Sequence, residues 1–530
     1  MITIQNFIRQ HIKTVAPLHR KTALLFWKAA TTGKSQYYQQ YAQIEKTLAN
    51  IYSDKKSFKS VKDFYQNKQS LNNPVHEREI ESIYLTYLPK QAPKPIIRKL
   101  IDKGTQLEQK FNVFRAQYNN KTVTENDLRE ILQNSTTTNE VKEAWLSGKQ
   151  VGKKVYKDIL NLVKLRNQMA NKLGYSDYYQ FSLSLQEMDE KWLFTLLDQL
   201  EKKTNPLFKK TKKELDNKLA EEFGIKTTEL MPWHYRDPFF QVYPKPRGSV
   251  IDQSLKTKSL EEITTEFYKG IGLDIQPILK KSDLYERKGK DQHAFCIGID
   301  CPSDVRILCN IKPNTQWLET MLHEFGHGVY DKYLNPKLPF YLRGASHIMT
   351  TEAIALMMER MVGEKAFLVK YLGIAPAKAV QISQLQKETT RNRLIVFTRW
   401  CLVMSHFERN LYQNPDQDLN GLWWKLVSKY QLLKTPPNRN EPDWAAKIHI
   451  ATVPVYYHNY LLGELFATQL LHAMKQDSGI QDKLLNNTKT GDFLVNKVFY
   501  PGASLRWDQL IEKATGEPLN PDYFINNLKN

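Results

Sequence analysis

The chain has 530 residues and carries 76 Lys and Arg against 56 Asp and Glu, a formal net charge of +20. The basic residues are spread along the chain on polar helix faces with no nucleic-acid module signature, so the charge reads as a solvated surface that favours acidic substrates or free carboxylates, and no nucleic-acid partner is expected. Four cysteines in this length exclude a disulfide framework, although one local bridge among Cys296, Cys301 and Cys309 stays open.

At the N-terminal end the longest apolar run, Ala23 to Trp27, is too short for a signal core or a membrane span, so no membrane partner and a cytoplasmic location are expected. Length alone allows two to four domains. No Gly/Ser-rich or Pro-rich linker, charge block or fixed-period repeat divides the chain, and one domain over residues 1–530 is expected. The pattern is mostly α. Residues 35–52, with Tyr37, Tyr38, Tyr41, Ile44, Leu48 and Ile51, and residues 192–222, with Trp192, Leu193, Leu196, Leu197 and Leu200, show apolar stripes at helical spacing.

Residues 293–299 and 305–311 read instead as a small β element, whose free edge could hold an extended peptide through main-chain hydrogen bonds. Next comes His323-Glu324-Phe325-Gly326-His327. Leu318, Leu322, Phe325, Val329 and Tyr333 recur at helical steps around it, and Asn335-Pro336 marks the stop. Two histidines four apart on a helix share a face and can grip one zinc ion, and Glu324 can act as general base on the attacking water. Such a motif arises by chance in about one chain per hundred of this composition, so its context matters. Gly326 and Gly328 are costly inside a helix and suggest close approach by another element. The third ligand is expected from Glu352, which opens the apolar stretch to Met361, where a buried carboxylate needs a cation. The plain alternative is a partly exposed helix N-terminal glutamate favoured by the dipole.

Residues 447–460 crowd Lys447, His449, Tyr456, Tyr457, His458 and Tyr460 into one segment. A peptide hydrolase needs donors for the oxyanion, which Tyr or His can supply, and Lys447 could meet a terminal carboxylate. The alternative is a loop-to-helix entry with partly buried tyrosines.

These motifs, in this order, resemble those of the angiotensin-converting-enzyme (peptidyl-dipeptidase A) family of zinc metallopeptidases. The series runs from His293-Ala294 through the HExxH motif, Leu342-Arg343-Gly344-Ala345 and Glu352-Ala353-Ile354 to Trp423-Trp424, Lys447-Ile448-His449, Tyr457 to Tyr460, and Thr515-Gly516-Glu517-Pro518. The resemblance implies that His323, His327 and Glu352 bind one Zn2+ and that Glu324 is the general base. It assigns Tyr460 and His449 to the oxyanion, Lys447 and Tyr457 to the C-terminal carboxylate, and His293 and Ala294 to substrate binding. It further implies a helical ellipsoid of two lobes around a deep central cleft, with residues 1–230 as lid and upper lobe and 231–530 as the catalytic half.

The chain departs from that family in four places. The clamp's glutamine falls at Tyr235. Two arginines associated with chloride activation are replaced by Val427 and Asn459, which gives no ground to expect chloride dependence. Leu356 stands where an aspartate orients a zinc histidine, leaving Glu359 as the substitute. The spacing from His323 to Glu352 is one residue longer, which is also similar to the thimet oligopeptidase and oligoendopeptidase F family. The expected activity is zinc-dependent hydrolysis of oligopeptides with release of C-terminal dipeptides. Internal cleavage, or zinc and peptide binding without catalysis, are the alternatives. Side-chain preference and oligomeric state are not written in these motifs.

Overall fold

The computed structural model describes residues 4–244, 250–481 and 483–529. The chain forms two units, one of Met1–Asp102, Ser249–Ser383 and Leu462–Tyr523, the other of Lys103–Gly248, Gln384–Leu461 and Phe524–Asn530. Helices dominate both, as the apolar periodicity predicts, and the described strands form two short antiparallel hairpins.

In the first unit, helices Ile4–Thr32 and Ser35–Tyr52 are followed by Lys55–Gln66 and Pro74–Tyr87. Asn73 starts the last of these by accepting from the N–H groups of Val75 and His76, with Pro74 at the first helical position, where its missing N–H costs nothing. Ile8, Val15, Leu48, Tyr52, Val61, Ile80, Ile83 and Tyr87 form the core beneath.

The hairpin predicted near residue 300 consists of Phe295–Asp300 and Asp304–Leu308, with Cys296 opposite Ile307 and Gly298 opposite Val305. His293 and Ala294 precede the first strand rather than lying in it. The second strand ends at Leu308, and the chain beyond it pairs elsewhere: Cys309 N–H donates to the Asp283 carbonyl and Ile311 N–H to that of Leu284. All four cysteines are free thiols.

Two helices of this unit carry the motif residues. The first, Thr315–Lys332, is capped by Asn314, whose side chain accepts from Trp317 N–H at 2.9 Å. The second, Ile348–Arg360, starts four residues before Glu352, with His347 accepting from Met349 N–H. Glu352 therefore lies inside the helix and is 3% exposed, which overturns the alternative of an exposed N-terminal glutamate.

In the second unit, Glu190–Phe223 is the predicted 192–222 helix with its caps added: Asp189 accepts from Trp192 N–H, and Gly224 ends it at φ +65°. The hairpin Ala116–Tyr118/Lys121–Val123 interrupts a region that periodicity reads as helical throughout. Its turn places Asn119 and Asn120 at positive φ, as a two-residue hairpin requires. Among the described residues no helix is long and apolar enough to cross a membrane.

Candidate metal centre and carboxylate pocket

Gly326 is the reason the two motif helices can meet. A Cβ at this position would lie 2.8 Å from Ala355 Cα and 3.3 Å from Ala355 N. The backbones touch there, and Glu352, almost one turn before Ala355, is carried to the imidazoles. On its other side Glu352 packs on Gly463, where a Cβ would stand 3.0 Å from the Glu352 Cβ. Gly328 makes room for Ile278 and Ile307.

Nε2 of His323 and of His327 lie 3.6 and 3.8 Å from one Glu352 carboxylate oxygen. One ligand atom from each of the three residues can be chosen within 4.8 Å of the others. Tetrahedral N and O ligands ~2.0–2.1 Å from a common ion sit about 3.4 Å apart, so small adjustments would let the three share one cation. The outer nitrogens support this. Nδ1 of His323 is 3.0 Å from Glu359 Oε2, and Nδ1 of His327 is 2.7 Å from Thr351 Oγ1. Partners on Nδ1 hold both rings with Nε2 facing inward, the orientation a metal needs. Glu359, the residue expected in place of the missing aspartate, is the one in contact with His323. Thr351 has no sequence signal beyond its place beside Glu352.

The charges of the site fit a cation. Glu324, Glu352 and Glu359 converge on two imidazoles. Burial pushes the Glu324 carboxyl up, His323 and the Cys296 backbone N–H pull it down, Glu352 and Glu359 push it up again, and it comes to about 7. Burial lowers both histidines. In His323 the hydrogen bond and charge of Glu359, with the other two carboxylates, outweigh burial and raise it to about 9. His327, next to the charge of His323, stays far below its ordinary value. A divalent cation would meet three carboxylates here, with one imidazole already neutral. His293 is exposed and bonded through its backbone N–H to Asp291.

The second unit holds the other predicted cluster. Lys447 is 8% exposed, and its ammonium donates to Gln241 Oε1 at 2.7 Å. Tyr457 OH is 3.5 Å from the same oxygen and accepts from Trp400 Nε1 at 2.6 Å. The rings of Phe239, Trp400 and Tyr457 surround the ammonium at 5.4–5.7 Å. Burial lowers Lys447 to about 8, against the pull of Asp237. The glutamine beside Lys447 is thus Gln241, six residues beyond the position expected. Tyr235 is occupied elsewhere, accepting from Lys212 and donating to Asp216.

Local backbone chemistry explains the shift. The Asp237 carboxylate accepts from the N–H groups of Phe239 and Gln241 and from Gln241 Nε2. That closes a tight turn with Phe240 at φ +50° and leaves only the amide oxygen of Gln241 to face Lys447. Nothing periodic in the sequence marks such a turn. Nearby, His449 Nε2 lies 3.3 Å from Tyr460 OH, and the Tyr457 and Tyr460 rings are 5.2 Å apart.

Comparison with known proteins adds a second line. The carboxypeptidase Taq (M32) metallopeptidase model matches residues 7–389, and the peptidase family M3 model matches residues 281–530. Their overlap contains the hairpin at 295–308, both motif helices and all three candidate ligands. Angiotensin-converting enzyme of Rattus norvegicus is 24% identical over 286 residues, 51% of this chain and 21% of that protein. Carboxypeptidase 1 of Bacillus subtilis (strain 168) is 23% identical over 314 residues, 54% of this chain and 60% of its own length. Angiotensin-converting enzyme of Theromyzon tessulatum is 20% identical over 434 residues, 74% of this chain and 68% of that protein. The chain thus spans well under two thirds of the first of these relatives and somewhat under two thirds of the second.

Proposed function

The chain belongs to the carboxypeptidase Taq (M32) metallopeptidase family, and from that membership, the resemblance to peptidyl-dipeptidases and the Lys447 cluster we propose that it is a zinc-dependent peptidase acting on short oligopeptides from their free C-terminal ends and releasing dipeptides. The observation that carries the hydrolytic reading is the His323–His327–Glu352 cluster with Glu324 alongside. The two imidazoles and the carboxylate would hold zinc, which supplies a Lewis acid for the scissile carbonyl.

Glu324 takes the proton of the attacking water and passes it to the leaving amine. A carboxyl pushed up by burial suits both halves of that task, since it can take the proton and hold it for the leaving group. Glu359 and Thr351 keep the imidazoles in register. Tyr460, with His449 against its hydroxyl, donates to the oxyanion. Lys447 and Tyr457 supply a buried cation and a hydroxyl on one small surface, both aimed at the Gln241 amide oxygen, and this pair of donors is suited to a carboxylate. That set favours trimming from the C-terminus over internal cleavage.

The test is mass spectrometry of one decapeptide digested by the zinc-loaded protein, with its C-terminus free or amidated. Stepwise dipeptide loss from the free form alone is expected. Equal internal cleavage of both forms would make the protein an endo-acting oligopeptidase, loss of single residues would make it a carboxypeptidase, and no cleavage would leave a zinc- and peptide-binding protein.

A further inference from the structure

Between the short helix Ile448–Thr452, which carries His449, and the helix His458–Gln476, which carries Tyr460, the chain turns sharply. At the centre of the turn stands Val455, at φ +54° and 1% exposed. Left-handed backbone is natural for glycine or asparagine and is an outlier for a β-branched side chain, so surrounding contacts must enforce it. Two side chains do so. Glu408 Oε1 accepts from Val455 N–H at 2.7 Å, and Gln186 Nε2 donates to the Val455 carbonyl at 3.0 Å.

Neither side chain is incidental. Glu408 is 4% exposed, on the helix Pro376–Gln413. Gln186 ends the helix Tyr178–Leu185, and its amide oxygen lies 3.0 Å from Asn459 Nδ2 and 3.2 Å from His458 Nε2. One glutamine therefore ties the strained residue to the two residues immediately before Tyr460. Glu408 lies within the field of the Arg166 charge and accepts from the Val455 N–H, and packing alone does not account for it, because an apolar side chain would fill the space without desolvating an acid.

We propose that Glu408 and Gln186 are positioning residues, which grip Val455 at both ends of its backbone and so hold Tyr457 and Tyr460 in register with His449. This rests on the peptidase reading above for the roles of the two tyrosines. The grip itself does not. Glutamate is needed at 408 as an acceptor for one N–H, so a neutral amide oxygen can replace it. The strain exists because residue 455 has a branched Cβ, so glycine at 455 should lessen the need for the grip.

The experiment compares E408A, E408Q, V455G and the double variant E408A/V455G by steady-state kinetics on the free decapeptide, by zinc content, and by hydrogen exchange of peptides covering residues 453–460. E408A should lower kcat by ~10- to 100-fold, the scale of a small misplacement of a reacting group, with KM within about twofold and zinc content unchanged. Its 453–460 amides should exchange faster. E408Q should recover most of the loss, and V455G introduced into E408A should recover both kcat and slow exchange. Wild-type kcat and exchange in E408A would overturn the proposal, as would a loss in E408A that neither E408Q nor V455G repairs. If E408A does not fold, Q186A is read in its place: faster 453–460 exchange than in the wild type, slowed again by adding V455G, supports the grip, and unchanged exchange overturns it. A wild type that cleaves no peptide sinks the peptidase reading, while the exchange comparison still decides whether the grip exists.

Discussion

Gly326 and Ala355 touch backbone to backbone, and the candidate metal centre depends on that contact. A single added methyl at 326 would stand 2.8 Å from Ala355 Cα, inside any tolerable carbon–carbon distance, and neither helix backbone can yield locally. Gly326→Ala should therefore push the Ile348–Arg360 helix outward and draw Glu352 away from both imidazoles. The expected cost is ~1–3 kcal/mol of stability, typical of an overpacked core, although alanine alone would favour the helix. Zinc affinity should fall at least about tenfold, since one of three ligands retreats. Thermal melting and competition with a zinc chelator measure both. A variant with unchanged zinc affinity would show that the helices do not set the ligand spacing.

Glu359 and Thr351 make a paired prediction, because each holds one imidazole by its outer nitrogen. Glu359→Gln and Thr351→Val should each weaken zinc binding by ~10- to 100-fold. Calorimetric or chelator titration of the two variants and their combination is the check. Equal affinity in the wild type and both variants would remove these residues from the site.

Glu324→Gln separates binding from chemistry. The amide cannot take the proton of the attacking water, so kcat should drop by ~10²- to 10⁴-fold while zinc content holds. Metal analysis alongside single-turnover cleavage reads this directly. Persisting turnover would move the general base elsewhere.

Lys447 gives a pH dependence with a definite sign. Burial lowers its ammonium to about 8, so it is charged below that pH and neutral above it. A peptide with a free carboxylate should bind progressively worse above pH ~8, with KM rising by up to about tenfold per unit, whereas an amidated peptide should show no such rise. Lys447→Met should abolish the difference between the two. A KM for the free peptide that stays flat to pH 10 would exclude the lysine from carboxylate binding.

Several of these groups are legible in the amino-acid sequence by itself, and the reason is local. His323 and His327 need only a helix to share a face, and the apolar steps around them announce one. Asn314, Asp189 and Gly224 cap helices through backbone groups a few residues away, so helix limits follow from short-range chemistry. Glu352 is suspect from the sequence alone, because a carboxylate in an apolar stretch asks for a cation. Glu359 is expected only through the resemblance, whose aspartate position is Leu356 here.

Other features escape local reading. Gln241 reaches Lys447 only because Asp237 folds residues 237–241 into a turn with Phe240 left-handed, and a match of motif order alone puts the glutamine at Tyr235. Thr351 acts on a histidine 24 residues away and looks ordinary in its own helix. The conformation of Val455 runs against its intrinsic preference and is imposed by Glu408 and Gln186, 47 and 269 residues distant in the chain.

Helix positions, the candidate metal-ligand set and the candidate general base are therefore legible in the sequence itself, since periodicity, capping and ligand chemistry act over a few residues. Which glutamine faces Lys447, how closely Ala355 approaches Gly326, and how the turn before Tyr460 is held are decided only by tertiary structure. Those contacts join backbone and side-chain atoms far apart in the chain, and their geometry exists only once the helices have packed.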